Sequence, residues 1–206
     1  MARKAMTLAY SVGDKLYINL TNKCPCACTF CIRNNGDGAY GSDPLWLEHE
    51  PSTEELTDAI AKAQPERYTE IVFCGYGEPT EALELLCSAA DFVKKNYPSI
   101  PTRLNTNGLS DLINGKPTAQ LLEGRIDTVS VSLNAPEKEE YLKVTRPKFG
   151  GKSFDEMQKF ACECKKYVKR VVFTIVDILP EEQIEASKAL AERLGIELRI
   201  REYIEE

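Results

Sequence analysis

The stretch KLYINLT (15–21) alternates strictly: Leu16, Ile18 and Leu20 take one parity, Tyr17, Asn19 and Thr21 the other. A period of two predicts a strand with one apolar and one polar face. EIVFCG (70–75), TRLNTNG (102–108), DTVSVSL (127–133), RVVFTIVDI (170–178) and IELRIREYI (196–204) read as five more strands. In the last, Glu197, Arg199, Arg201 and Tyr203 oppose Ile196, Leu198, Ile200 and Ile204. If the isoleucine face packs on helices, both arginines turn inward.

Helical periodicity fills the intervals. PSTEELTDAIAKA (51–63) opens with a Ser/Thr cap followed by acidic residues, the signature of a helix start. Further helices are predicted over 81–96, 117–123, 137–144, 154–167 and 180–195, the last with Pro at its first turn and Gly at its stop. Strands separated by helical crossovers imply an α/β fold with a parallel sheet. Crossovers of one hand curl such a sheet towards a barrel. Six units instead of eight suggest a partial, TIM-like (βα)6 barrel, although a flat doubly wound sheet fits the same string. With 206 residues, one domain spanning 1–206 is expected.

Composition narrows the setting. Hydrophobic residues at 43% and charged residues at 28% are ordinary for a globular protein. No apolar run approaches the roughly 20 residues of a membrane span, and no signal-peptide core follows the N-terminus, so a cytoplasmic protein is expected. A formal charge of −6 argues against general nucleic-acid coating. In a reducing cytosol, clustered thiols bind metal or do chemistry more often than they form disulfides.

TNKCPCACTFCIRNN (21–35) carries such a cluster. Cys24, Cys28 and Cys31 form C-x-x-x-C-x-x-C; with Cys26 the run becomes C-x-C-x-C-x-x-C, which could be a four-thiolate metal cage. Structural zinc sites more often use C-x-x-C pairs separated by a longer stretch. Two other unusual loops follow neighbouring strands: GYGEPT (75–80) and the TNG of 106–108. Parallel α/β folds build their sites at the carboxyl ends of strands, so the three loops converge on one edge of the sheet.

The C-x-x-x-C-x-x-C frame with Phe30 before its last cysteine resembles the signature of radical S-adenosylmethionine (SAM) enzymes. FCGYGEPT resembles their G-G-E-P element, with Tyr76 replacing the first of the paired glycines. LNTNGL (104–109) resembles a T-N-G element of glycyl-radical activating enzymes, and VSVSLNAP (129–136) the S-L-x-A strand of radical SAM RNA methylases. In order along the chain, the set looks closest to the small TatD-associated radical SAM proteins. The resemblance implies a [4Fe-4S] cluster on Cys24, Cys28 and Cys31 and a SAM pocket of Gly75, Tyr76, Gly77, Glu78, Asn105, Ser132 and Asn134. It also implies a 5′-deoxyadenosyl radical abstracting hydrogen from a substrate, an external electron donor such as flavodoxin or ferredoxin, and a functional link to a TatD-type hydrolase. The cofactors carry the difficult chemistry.

Arg33, Arg199 and Arg201 are candidate substrate contacts, because guanidinium groups suit carboxylates and phosphates; for the last two the alternative is a solvated edge strand. Arg146 reaches a SAM carboxylate only if its loop folds back. Cys26 reads as a thiol beside the cluster. Cys162 and Cys164 sit on a helix with side chains roughly 200° apart and, with Cys74 and Cys87, read as buried small apolar residues. The sole histidine, His49, is expected on the surface, which disfavours His-based catalysis. The rival from another class is a zinc-binding or iron–sulfur electron-transfer protein on the same sheet.

Overall fold

The computed structural model describes residues 2–202. Its single sheet has seven strands in the order of the chain: β1 Ala9–Val12, β2 Lys15–Ile18, β3 Glu70–Phe73, β4 Thr102–Thr106, β5 Thr128–Ser132, β6 Arg170–Val176 and β7 Glu197–Arg201. The six expected parallel strands are β2 to β7. β1 is an addition, paired antiparallel to β2. Gly13, at φ 58°, supplies the left-handed residue of the tight Gly-Asp turn between them, a hairpin signal present in VGDK. Tyr203 and Ile204, expected in the last strand, lie outside the described residues.

Strand order decides between the two sheets that the element string permits. Every strand pairs with its sequence neighbour, so the winding never reverses, as it must at the switch point of a doubly wound sheet. Among the described residues β7 does not pair back to β1, and the barrel stays open.

Helices α1 Thr53–Lys62, α2 Leu83–Asn96, α3 Ser110–Asn114, α4 Lys138–Thr145, α5 Lys152–Cys164 and α6 Glu181–Leu194 fill the connections. α1 starts on the reciprocal Ser52–Glu55 capping box, and α6 stops at Gly195, φ 61°. The segment around 117–123 is only a 3-10 turn, Ala119–Leu122. None of these helices is long and apolar enough to cross a membrane.

Register gives the sheet two different faces. Ile18, Phe73, Leu104, Val129 and Val171 stand opposite one another across five strands, and they join Leu56, Ile60, Leu86, Met157, Phe160 and Leu190 of the helices in one core. Burying each such side chain contributes about 1.5–3 kcal/mol. One residue away the parity reverses. Asn105, Ser130, Val172 and Glu197 are aligned, as are Ser132, Thr174 and Arg199, and of these Asn105, Ser130, Ser132, Thr174 and Arg199 line the concave side.

The amino-terminal rim is tied by Asp127. Its carboxylate accepts from the Thr102 N–H at 2.9 Å and pairs with Lys169 at 2.7 Å and with Lys94, joining β4, α2 and the start of β6. Burial alone would raise its pKa; Lys169, Lys94 and the Thr102 amide outweigh that and hold it well below the carboxylate range. A depressed folded-state pKa stabilises the fold above the unfolded value of about 3.9, and that contribution is lost as pH falls below it. Asp127→Asn is therefore expected to lower unfolding free energy in urea by about 1–3 kcal/mol at pH 7. The gap from the parent should close progressively below about pH 4; a gap independent of pH would contradict the assignment.

Candidate active site

A cavity of about 580 Å³ opens at the carboxyl ends of the strands. Cys24, Cys28, Cys31, Gly75, Tyr76, Gly77, Glu78, Asn105, Ser132, Asn134, Arg199 and Arg201 all border it. The tertiary structure thus gathers onto one surface residues separated by up to most of the chain. Arg33 is not among them. It follows Cys31 on the 3-10 turn Ile32–Asn34, its guanidinium lies 5.4 Å from the Trp46 ring centroid, and its Nη1 donates to the Asn22 carbonyl at 3.3 Å.

The cysteine loop is clamped from two sides. On one, the Ala27 and Thr29 amides donate to the Thr145 and Val144 carbonyls at 3.0 and 2.9 Å, and the Lys148 amide donates to Pro25 O at 2.8 Å. The last carbonyls of α4, which have no partner within the helix, are satisfied by the loop. Arg146 caps α4 in the left-handed region at φ 45° and does not border the cavity.

The other side is the Gly77-Glu78-Pro79 turn. The Glu78 amide donates to Lys23 O at 2.8 Å. A Cβ on Gly77 would stand 2.2 Å from Thr21 O and 2.7 Å from Lys23 O, so only glycine allows this approach. Glu78 is 4% exposed, and its carboxylate is held within the turn: Oε1 accepts from Thr80 N, Thr80 Oγ1 and Thr106 Oγ1 at 3.1, 2.8 and 2.7 Å, and Oε2 from Asn107 N at 2.7 Å. It binds the second loop to the third. Burial pushes this carboxyl up, against the donors that favour its charge.

Tyr76, which replaces a glycine of the resembled motif, has a physical reason. Its hydroxyl lies 2.9 and 2.8 Å from the Gly36 and Gly38 carbonyls, to which it donates, and its ring meets Trp46 edge-on at 5.2 Å. It pins the NNGDG loop over the site. Burial, then Asp37, pushes its pKa up to about 12.

All four thiols of the cysteine loop border the cavity. Cys26 is 5% exposed; its interaction with the neighbouring Cys24 and Cys28 thiols, then burial, holds its thiol high, and the same interaction draws those two down. Asn107 Nδ2 also points at Cys26 Sγ, 3.9 Å away. Cys26 was expected as a thiol beside the cluster, and it borders the same cavity as Cys24, Cys28 and Cys31.

The polar lumen holds further groups that the sequence reading passed over. Arg103, 5% exposed, pairs through Nη2 with Glu70 at 3.0 Å. Its inward parity, shared with Asn105, was a usable signal. Cys74 borders the cavity and is not an apolar core residue, since it falls one position after core-facing Phe73. Arg103 Nε, Asn105 Oδ1, Asn134 Oδ1 and Arg201 Nε are buried without a hydrogen-bond partner, and all four residues border the cavity. Buried polar atoms are normally paired, so this wall is built to meet a ligand. Asn134 adopts the left-handed region at φ 63°. His49 is exposed and pairs with Glu55 at 2.9 Å. Cys164 is buried and Cys162 and Cys87 half-buried, none of them at the cavity.

These groups fit a thiolate-held cluster with an amino-acid-bearing nucleoside beside it. Cys24, Cys28 and Cys31 offer soft ligands, and the free amide oxygens of Asn105 and Asn134 offer acceptors. The comparisons with known proteins agree. The model of the radical SAM superfamily matches residues 18–194. No curated protein matches by sequence. Among solved structures, Streptococcus suis SuiB bound to precursor peptide SuiA superposes with TM-score 0.69 at 19% identity over 93% of this chain and 40% of its own. SuiB bound to S-adenosylmethionine gives 0.69 at 17% over 94% and 41%. A radical SAM methyltransferase from Sphaerobacter thermophilus gives 0.62 at 16% over 94% and 68%. The chain therefore spans about two-fifths of the SuiB length, and these likenesses establish the fold.

Gly77→Ala is expected to force the cysteine loop away from the turn. It should cost about 1–3 kcal/mol in denaturant unfolding and lower iron incorporation on reconstitution, read as iron per chain; unchanged stability and iron content would show that the contact is not tight.

Proposed function

Because the chain belongs to the radical SAM superfamily, we propose that it is an enzyme holding a [4Fe-4S] cluster on Cys24, Cys28 and Cys31 and SAM against the loops beside them. One observation carries the reading: those thiols border the same cavity as Gly75–Glu78, Asn105, Ser132 and Asn134. When bound, the cluster and SAM supply a 5′-deoxyadenosyl radical that abstracts hydrogen from a substrate. Radical SAM enzymes generally draw the electron from a donor such as flavodoxin or ferredoxin.

The chain's own residues bind, orient and enclose. Gly75 and Gly77 let the turn approach the first strand and the cysteine loop; Glu78 holds the second and third loops together; Asn105 and Asn134 accept from amino or hydroxyl groups of the nucleoside side, and Ser132 offers a hydroxyl. A cavity of about 580 Å³ lies within the roughly 300–1,000 Å³ of small-molecule sites, which supports SAM bound there; the hydrogen donor is a small molecule, a nucleotide or a protein glycyl residue. The combined motifs support the small TatD-associated subgroup and a functional link to a TatD-type hydrolase.

The contact of Cys26 with Cys24 and Cys28 favours one second reading, a four-thiolate zinc or electron-transfer centre. Both are tested by anaerobic reconstitution with iron and sulfide, followed by dithionite and SAM. Formation of 5′-deoxyadenosine is expected. Cys28→Ser should abolish the cluster spectrum, whereas Cys26→Ser should leave it largely intact. The reverse pattern, or a paramagnetic signal that SAM does not perturb, would favour the second reading.

A further inference from the structure

The lumen collects positive charge in an acidic chain. Arg103 on β4 and Arg199 and Arg201 on β7 border one cavity, and their inward parity follows from the register. Arg103 has a carboxylate partner, Glu70, yet its Nε is left free in the buried wall. Among the described residues neither Arg199 nor Arg201 forms an ion pair, and Arg201 Nε is also buried without a partner. Of the neighbouring carboxylates, Glu197 pairs with Arg170, Glu78 is taken up by the donors of its own turn and the TNG loop, and Glu202 borders the cavity but is exposed and forms no ion pair with a described residue. Desolvation, then Arg103 and Arg201, lowers the pKa of Arg199, while Tyr17 and Glu70 oppose that shift.

Arg103 is buried, Arg201 half-buried and Arg199 exposed on the edge strand, and three guanidinium groups around one lumen, with one paired counter-charge, oppose folding. Like charges repel in a partly desolvated space, and unpaired buried donors cost free energy. A structural role would be served better by serine or glutamine at these positions. Planar forks of N–H donors match the oxygens of a carboxylate or phosphate.

We propose that Arg199 and Arg201, backed by Arg103, form a subsite for the anionic group, carboxylate or phosphate, of the substrate. The proposal rests on the radical SAM reading for calling the ligand a substrate, but not for the binding itself. SAM also carries a carboxylate, so the source must be separated.

The test uses the reconstituted protein without reductant, at constant ionic strength. Binding of inorganic phosphate and of acetate is measured by calorimetry, and binding of SAM in parallel. Saturable binding of at least one of the two anions is expected, weakened at least ten-fold in the Arg199→Gln/Arg201→Gln double variant and only partly in Arg199→Lys. SAM affinity should change less than three-fold. Lys188→Gln, which removes an exposed surface charge, should change neither. The Tm of the double variant without ligand should be equal to or above the parent's, because repulsion is removed. Equal anion affinity in the double variant, no saturable binding of either anion to the parent, loss of SAM affinity instead, or a lowered Tm would each overturn the proposal. If anion binding follows the arginines while no 5′-deoxyadenosine forms in the turnover assay, the radical reading fails and the anion subsite stands.

Discussion

A parallel sheet ordinarily hides both faces, and its strands then read as unbroken apolar runs. Here an alternation divides the sheet: leucine, isoleucine, valine and phenylalanine face the helices, while asparagine, serine, threonine, tyrosine and arginine face the hollow, interrupted there by Val72, Val172 and Val176. Because the register is kept from β2 to β7, a slip by one residue in any strand would place its apolar set in the lumen and its polar set in the core. The core that stabilises the fold and the cavity that gives it use are two sides of this one constraint.

The three loops above the sheet are held to each other more than to the strands beneath them. Glu78 is the junction. Its amide reaches the cysteine loop and its carboxylate reaches the TNG loop, so the residues proposed for cofactor binding move as one body. α4 closes the other side by giving its terminal carbonyls to the amides of Ala27 and Thr29. Such support matters because the thiols come from an irregular segment, and a site on a loop is only as well placed as the contacts behind it.

Charge is distributed against the average. The chain is acidic overall at −6, with much of its surface charge in exposed pairs such as Lys188–Glu185 and Lys166–Glu163, which contribute little individually. Positive charge is also gathered at the lumen, where Arg103, Arg199 and Arg201 border one cavity. An interior with unpaired donors and acceptors, and with glycines that admit no Cβ, departs from what packing alone would select. Such departures mark where a fold serves a ligand.

Much of this was legible in one dimension. Period-two alternation in the first and last, and short apolar or β-branched runs between them, marked the six parallel strands, the Ser52–Glu55 box marked α1, and the spacing of Cys24, Cys28 and Cys31 marked the loop proposed to hold the cluster, because each signal is local: it depends on residues within one or two turns of chain. Even β1 left a trace in its Gly-Asp turn. What only the tertiary structure decided was which distant residues meet. The open barrel over the flat sheet depends on strand order, which no local pattern encodes. The turning of Arg33 onto Trp46, the capture of α4 by the cysteine loop and the inward facing of Arg103 and Cys74 all depend on contacts between segments far apart in sequence. Sequence determines the parity of a side chain, since that is set by the backbone repeat. What stands opposite it is set by packing, and packing is a property of the whole chain.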